Sequence, residues 1–265
     1  MLEEIVHLGL VDDEEIALDA AALELAALDH PRVSLTPYLK ALDDFTERVS
    51  RQPQGAAPGA RAGALAAVLF EEEGFRGDRE TYDDPANADL IEVMNRRRGL
   101  PVSLSILYVA VARRLGWAAD ALNTPGHVLV RLGPEHAPLI VDPFNGGATV
   151  GAQQLASLLG DAPEVALQHL APMSNRLVLV RLLMNQATRA ERAGRPQRAL
   201  SLYQRITTVA PEHGHGWWER ARIELVLREV EPARASLAAM LEVTRDPQMR
   251  LHVGAALDAL GGVSR

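Results

Sequence analysis

A histidine and an aspartate flank two short apolar runs of the sequence, where their side chains could act together. His127 precedes the run Val128–Leu132, and Asp142 follows the run Leu139–Val141. Both runs are rich in β-branched residues and flank a Gly/Pro-containing stretch, which predicts a β-hairpin. On adjacent strands a carboxylate can orient an imidazole, and an oriented imidazole is a general base. The same pair can instead be a satisfied polar contact that fixes the two strands.

The chain offers few other groups for chemistry. It contains no cysteine, which excludes thiol nucleophiles, disulfide bonds and cysteine-ligated zinc. His213 and His215 could ligate a metal, but no cysteine or well-spaced carboxylate accompanies them, and we interpret them as part of a turn. No glycine-rich phosphate loop occurs in the sequence. The residues therefore predict neither a metal site nor a cofactor.

Charge and hydropathy narrow the possible partners. A formal net charge of -8 and a pI near 5.5 argue against nucleic-acid binding, because neutralising phosphates requires a basic face. The acidic start of the chain lacks the positive charge and apolar run of a secretory signal. No apolar stretch approaches the roughly 20 residues of a membrane span. We therefore expect a cytoplasmic protein with neither a nucleic-acid nor a membrane partner.

The hairpin must be positioned by the helices that precede it. Apolar residues recur at helical spacing in Ile16–Leu25, and Pro101 favours the first turn of a later helix. The Gly/Pro-rich residues 51–63 predict a surface loop, and Ala118–Leu122 could form a third, weaker strand. Helices followed by a small antiparallel sheet indicate an α+β domain, which we place at residues 1–175.

From about residue 176 onward the pattern is helical and contains an internal repeat. Ala199 and Ala233 lie 34 residues apart, the period of helix-turn-helix repeats. The segment resembles tetratricopeptide repeats, and we place an all-α repeat domain at residues 176–265. The resemblance implies a groove for a protein or peptide partner. Three aromatic residues could contribute to that groove: Tyr203, Trp217 and Trp218. They could instead be core residues of the repeats, an alternative favoured for Trp217.

Five segments between residues 65 and 150 carry a further family resemblance. They are Leu69–Gly77, Tyr82–Pro85, Gly99–Ser105, Pro125–Arg131 and Asp142–Gly147. Together they resemble the bacterial SirB1 family, whose members join a transglutaminase-like domain to C-terminal tetratricopeptide repeats. The resemblance implies a papain-like core helix beside a small sheet. It also implies a Cys-His-Asp arrangement, in which a thiolate at a helix start attacks, the histidine is the base and the aspartate orients it.

This catalytic arrangement is incomplete in the present chain. Transferred residue by residue, the resemblance places His127 at the histidine and Asp142 at the aspartate. The cysteine position falls on Pro101, which has neither a thiol nor a backbone N–H for an oxyanion hole. Ser103 lies about 200° around the helix from Pro101 and could cap the first turn, and Ser105 lies on the same face about 6 Å deeper. Neither serine is well placed to replace the cysteine.

The loss of the nucleophile decides the functional expectation. The sequence predicts a pseudoenzyme, a non-catalytic transglutaminase-like protein that mediates protein–protein interaction. The alternative is a residual peptidase, amidase or acyltransferase that uses His127 and Asp142 with a serine or an activated water. The identity of residue 101 is the sequence feature that separates these two hypotheses.

Overall fold

The computed structural model describes residues 2–53, 57–134, 138–159 and 171–261. It divides the chain into two compact units, one spanning Asp13–Val178 and the other joining the residues up to Asp12 to those from Leu179 onward. This division lies near the boundary predicted between residues 175 and 176. The first twelve residues differ from the prediction, since they group with the C-terminal helices.

Burial explains why the start of the chain belongs to the second unit. Ile5 and Leu8 are buried, the latter on the short helix α1 (His7–Leu10). Gly9 lies directly against the backbone of Thr208, where a Cβ atom would be 2.2 Å from the carbonyl oxygen. Only glycine permits so close an approach. A single helical turn gives no periodic signal, and the sequence pattern therefore did not reveal this packing.

The Asp13–Val178 unit contains one very apolar helix. Its helices are α2 (Leu18–Ala27), α3 (Thr36–Arg51), α4 (Pro58–Ala66), α5 (Leu90–Arg96), α6 (Pro101–Arg114) and α7 (Ala152–Leu159). The apolar helix is α6, which contacts the four helices α2 to α5. Every residue of α6 from Pro101 to Ala112 is buried, as expected for a helix that is apolar on all sides. Pro101 is its first residue, as predicted, because the first helical position leaves its N–H unpaired in any case.

A small antiparallel sheet packs against α6. A separate parallel pair, β1 (Arg76–Gly77) and β2 (Arg98–Gly99), precedes it in the sequence. The sheet consists of β3 (Ala119–Leu122), β4 (Leu129–Leu132), β5 (Leu139–Asp142) and β6 (Ala148–Thr149), paired in that order. The predicted hairpin, the weaker third strand and the α+β class are therefore confirmed. The two-residue strand β6 was not predicted, because it is too short to show alternation.

The surface loop predicted at residues 51–63 is wrong from Pro58 onward. Helix α4 begins there and continues into a π-helical segment, Ala67–Glu72. Ala62 and Leu65 are buried and give α4 an apolar face. Tertiary burial of that face outweighs the low helix propensity of the glycines in this segment.

Two of the five C-terminal helices begin at an interval that matches the sequence repeat. They are α8 (Asn175–Arg192), α9 (Pro196–Val209), α10 (Gly214–Val226), α11 (Val230–Val243) and α12 (Pro247–Gly261). Helices α9 and α11 have the same length and begin 34 residues apart, at Pro196 and Val230. The turns before them contain Gly194 and Arg228, both with positive φ and again 34 residues apart. The 34-residue period of the sequence is thus also a period of the backbone.

Small residues mark the crossings of these helices, as the sequence pattern indicated. Ala199 and Ala233 are both 0% exposed, at equivalent positions of α9 and α11. Ala221, Leu237, Met240 and Val253 form a core cluster that α10, α11 and α12 share. Across the ranges that the structure describes, no helix combines the length and the apolar character needed to cross a bilayer.

Candidate functional site

The structure brings His127 and Asp142 together at the edge of the sheet. The His127 Nε2 and Asp142 Oδ1 atoms are 3.0 Å apart. Asp142 ends β5 and is 2% exposed, whereas His127 precedes β4 and is only partly buried. Because a carboxylate accepts the hydrogen bond, Nε2 carries the proton and Nδ1 is left as the basic nitrogen of the neutral ring. This is the geometry of a base held by an orienting carboxylate.

Asp142 is held by more than the histidine. Its Oδ1 accepts hydrogen bonds from the backbone N–H groups of Phe144 at 3.0 Å and Asn145 at 3.3 Å, and its Oδ2 accepts from Asn145 Nδ2 at 2.5 Å. Burial alone would raise the pKa of Asp142, but the hydrogen bonds from His127 and Asn145 outweigh it and lower the pKa. Asp142 is therefore an ionised carboxylate at neutral pH, and it also caps the turn Pro143–Asn145.

Both serines near the start of α6 are bound to backbone carbonyls. Ser103 Oγ lies 2.8 Å from the carbonyl oxygen of Asn87 and 3.0 Å from that of Leu100. The expectation that Ser103 caps the helix is therefore wrong, since its hydroxyl is a donor to carbonyls and α6 has no side-chain cap. Ser105 Oγ donates to the carbonyl of Val128 at 3.4 Å. Both side chains are 0% exposed.

One face of α6 is directed toward the His127–Asp142 pair. Pro101, Ser105 and Tyr108 are spaced four and three residues apart and share that face. Ser105 contacts the backbone beside His127. Burial, and then the negative charge of Asp142, raises the pKa of the Tyr108 hydroxyl. The first residue of this face is Pro101, which presents a ring without a hydroxyl, a thiol or an N–H.

Tyr108 packs closely against the turn that follows Asp142. At Gly147, which has a φ of +77°, a Cβ atom would lie 2.7 Å from the Tyr108 hydroxyl oxygen. Glycine is thus required at position 147 both for its left-handed backbone and for this contact. Tyr108 Oη has no hydrogen-bond partner among the described residues.

Phe144 connects the histidine to residues that the sequence analysis did not single out. Its ring centroid is 5.8 Å from that of His127 and 6.0 Å from that of Tyr82, both in edge-to-face contacts. The Arg79 guanidinium carbon lies 5.4 Å from the same centroid. At Gly77 a Cβ atom would be 2.5 Å from the Phe144 ring, which fixes glycine there. Phe144, Tyr82 and Gly77 lie in segments that carry the family resemblance. Membership of those segments is the sequence signal that could have indicated them.

Of the two histidines considered as metal ligands, His213 precedes α10, whereas His215 lies in the first turn of that helix and not in the predicted turn. The rings of His213 and His215 are 6.2 Å apart, and burial together with the neighbouring His215 lowers the pKa of His213. Within the described ranges, no group of three histidine, aspartate or glutamate side chains is arranged to hold a metal ion.

The structure separates the three aromatic residues proposed for a partner groove. Tyr203 is 1% exposed and its hydroxyl donates to Glu191 Oε1 at 2.5 Å, but its side chain is also among those lining a cavity. Trp217 packs on the C-terminal core cluster and donates from its indole to the carbonyl of Pro211 at 2.7 Å. Trp218 lies 5.0 Å from His252, ring to ring, and lines a cavity.

Two neighbouring cavities lie along the inner faces of the C-terminal helices. One, of about 380 Å³, is lined by Trp218, Met240, Met249 and His252 among others. The second, of about 300 Å³, is lined by residues of α8, α9 and α10, among them Met184, Thr188, Arg192 and Arg222. His215 and Glu219 line both cavities, which are therefore adjacent. We call their combined surface the C-terminal groove.

Comparisons with known proteins place these features in a family context. A family model described as the transglutaminase-like superfamily matches residues 36–184. A UPF0162 protein of Xylella fastidiosa (strain 9a5c) is 32% identical over 250 residues, covering 89% of this chain and 87% of the relative. A UPF0162 protein of Pseudomonas aeruginosa is 28% identical over 256 residues, covering 96% and 94%. F-box only protein 21 of Homo sapiens is 31% identical over 139 residues, covering 49% of this chain but 22% of the relative.

Proposed function

Since the chain belongs to the transglutaminase-like superfamily and is a relative of the UPF0162 proteins, we propose that it is a non-catalytic member that binds a partner protein. Within the superfamily we place it in the SirB1 group, with tetratricopeptide repeats after the transglutaminase-like domain. We also place it in the cytoplasm. Its function is then recognition, and its two binding surfaces are the surface beside His127 and Asp142 and the C-terminal groove.

One observation carries the non-catalytic part of the proposal. Pro101 occupies the first position of α6, on the helix face that leads to Ser105 and Tyr108 and toward the His127–Asp142 pair. A nucleophile at this position would have His127 as its base, but a proline ring has no proton to give. Ser103 and Ser105 donate to carbonyls in the buried core. A base without a substrate proton within about 3 Å cannot start acyl transfer.

The binding part of the proposal is supported by the C-terminal groove. The 34-residue repetition of helix starts and positive-φ turns is typical of tetratricopeptide repeats, in which alternate helices line a concave surface. Here lining residues come from all five C-terminal helices, and α10 contributes to both cavities. The groove combines an aromatic ring, Trp218, with two methionines, Met240 and Met249, which suits an apolar anchor of an extended or helical peptide.

Truncation of Trp218 is expected to weaken peptide binding. Peptides of about 12 residues would be selected from a displayed random library against the full-length protein. Each selected peptide is expected to lose about tenfold or more in affinity with Trp218→Ala, because aromatic anchors dominate such interfaces. Val226→Ala is the matched control, since Val226 is also on α10 and is 59% exposed, but it is not among the residues lining the groove.

The affinities would be measured by calorimetry on variants whose melting temperatures have been recorded. His252→Ala provides a second test, because its ring stacks on Trp218 at the rim of the same cavity. Peptides that bind Trp218→Ala and His252→Ala as tightly as the wild type would contradict the proposed groove.

A residual hydrolase or acyltransferase remains the second candidate, and one observation favours it. The His127–Asp142 hydrogen bond has the geometry that orients a catalytic base, and Asp142 is ionised. Such an enzyme would need a serine or a water molecule as the nucleophile. The labelling measurement at the end of the Discussion distinguishes the serine form of this candidate from the proposal.

A further inference from the structure

Arg79 differs from three nearby arginines, each of which forms an ion pair. Arg96 pairs with Asp78 and Asp84, Arg97 with Glu73, and Arg98 with Glu80. Arg79 forms no ion pair with any carboxylate in the part of the chain that the structure describes, although the protein carries a net charge of -8. Its guanidinium is exposed and lies over the ring of Phe144 at 5.4 Å. A cation left without a carboxylate in an acidic protein is available for an anionic ligand.

Arg79 also belongs to the same hydrogen-bond network as the histidine. Its Nη2 donates to Asn145 Oδ1, and Asn145 Nδ2 donates to Asp142 Oδ2 at 2.5 Å. Asp142 in turn accepts from His127. The network therefore runs from the guanidinium through an amide and a carboxylate to the imidazole. Phe144 lies beside it and contacts both Arg79 and His127.

We infer that Arg79, His127 and the rings of Phe144 and Tyr82 form a binding site for a carboxylate, specifically an acidic side chain of a partner protein. This inference rests on the proposed function, and it names the chemistry of the ligand that the surface beside His127 and Asp142 would bind. The guanidinium has further N–H donors for a carboxylate, and His127 Nδ1 can add another when the ring is protonated. Tyr82, which is 40% exposed, and Phe144 can cover the carbon chain of the ligand.

The charge of Asp142 favours a singly charged ligand. Asp142 is ionised and lies one hydrogen bond from both His127 and Asn145. A carboxylate adds one negative charge to the site, which the guanidinium balances. A phosphate dianion would add two beside an ionised aspartate, and like charges in a partly buried site repel. The site therefore suits glutamate or aspartate better than a phosphate.

The test is a titration monitored at the histidine itself. The probe is N-acetyl-L-glutamate α-amide, which carries one side-chain carboxylate, and its uncharged match is N-acetyl-L-glutamine α-amide. The ring C–H resonance of His127 in a carbon–proton NMR spectrum is identified by its loss in His127→Ala. We expect a saturating shift of this resonance at millimolar concentrations of the glutamate probe and none with the glutamine probe.

Variants of the arginine identify the binding group. Arg79→Gln is expected to weaken the glutamate probe about tenfold, because a charge-assisted hydrogen bond is lost. Arg79→Lys keeps the positive charge but lacks the planar guanidinium group. Its affinity for the glutamate probe should lie between those of the wild type and Arg79→Gln. Arg32→Gln is the control. Arg32 is exposed and lies in the same unit, and its substitution by glutamine removes the same charge. It should leave the affinity unchanged.

Three results would overturn the inference. They are an equal response to the glutamine probe, wild-type affinity in Arg79→Gln, and inorganic phosphate that binds as tightly as the glutamate probe with the same dependence on Arg79. Failure here leaves the C-terminal groove and its Trp218 test unaffected. Unchanged peptide binding by Trp218→Ala together with an intact carboxylate site would conversely leave this inference in place.

Discussion

Asp142→Ala is expected to lower the free energy of unfolding by about 3 kcal/mol, since removing a buried carboxylate leaves several hydrogen-bond donors without their acceptor. His127 loses its partner, and the N–H groups of Phe144 and Asn145 lose the acceptor that caps their turn. His127→Ala removes only one of these bonds and should cost about 1–3 kcal/mol. The double variant should cost less than the sum, because the two residues share one interaction.

Urea unfolding of the wild type, the two single variants and the double variant measures these differences. Asp258→Ala is the control for loss of a carboxylate, since Asp258 is exposed on α12, and it should have little effect. Additive effects, or effects near zero, would contradict a structural role for the pair. A neutral or stabilising His127→Ala variant would instead indicate a residue kept for binding at the expense of stability.

The pH dependence of this contribution has a definite sign. The pKa of Asp142 is lowered in the folded state from the ordinary 3.8. Its carboxylate therefore adds stability that is fully present above the unfolded value and is lost as the pH falls through the folded value. The difference in unfolding free energy between the wild type and Asp142→Asn should accordingly shrink below about pH 4.

Pro101→Cys is expected to create a reactive thiol. The natural chain has no cysteine, so alkylation of the variant reports this one position. A thiol at the first residue of the 14-residue helix α6 would feel the helix N-terminus and the nearby imidazole, and both favour the thiolate. We expect half-maximal alkylation by iodoacetamide below about pH 7, against about pH 8.5 for an ordinary thiol.

A matched control separates this effect from simple accessibility. Ser157→Cys places a thiol on the exposed surface of α7 and should follow the ordinary profile. Because Pro101 is buried and Ser157 is exposed, the pH midpoints of the two alkylation profiles are compared, and not the rates. Adding His127→Ala should move the midpoint upward by about one pH unit. A profile equal to that of Ser157→Cys would show that position 101 does not face the histidine.

Local signals made the core of the site predictable. Proline at the start of α6 has a strong positional preference, and the β-branched runs around His127 and Asp142 indicate paired strands. Because both residues lie at strand ends of one hairpin, their proximity follows from the hairpin alone. The structure adds the 3.0 Å hydrogen bond between them.

Contacts between distant segments were not predictable. Arg79 and Asn145 are 66 residues apart, and no periodicity links them. Ser103 was expected to cap α6, but its hydroxyl is close to the carbonyl of Asn87, which only the folded chain brings near. Tyr203 matched the repeat pattern, but the pattern does not say whether a conspicuous aromatic ring lies in the core or on the groove. In the structure the ring is buried and at the same time lines part of the C-terminal groove.

The absence of a working nucleophile is the central claim, and intact-mass spectrometry after treatment with a fluorophosphonate tests it most directly. The reagent forms a stable adduct with a serine that a neighbouring base activates. Because Pro101 occupies the helix start and the hydroxyls of Ser103 and Ser105 are bound to carbonyls, the account predicts an unmodified mass for the wild-type protein. A stoichiometric single adduct on one serine, absent from His127→Ala, would contradict it and identify the protein as an enzyme.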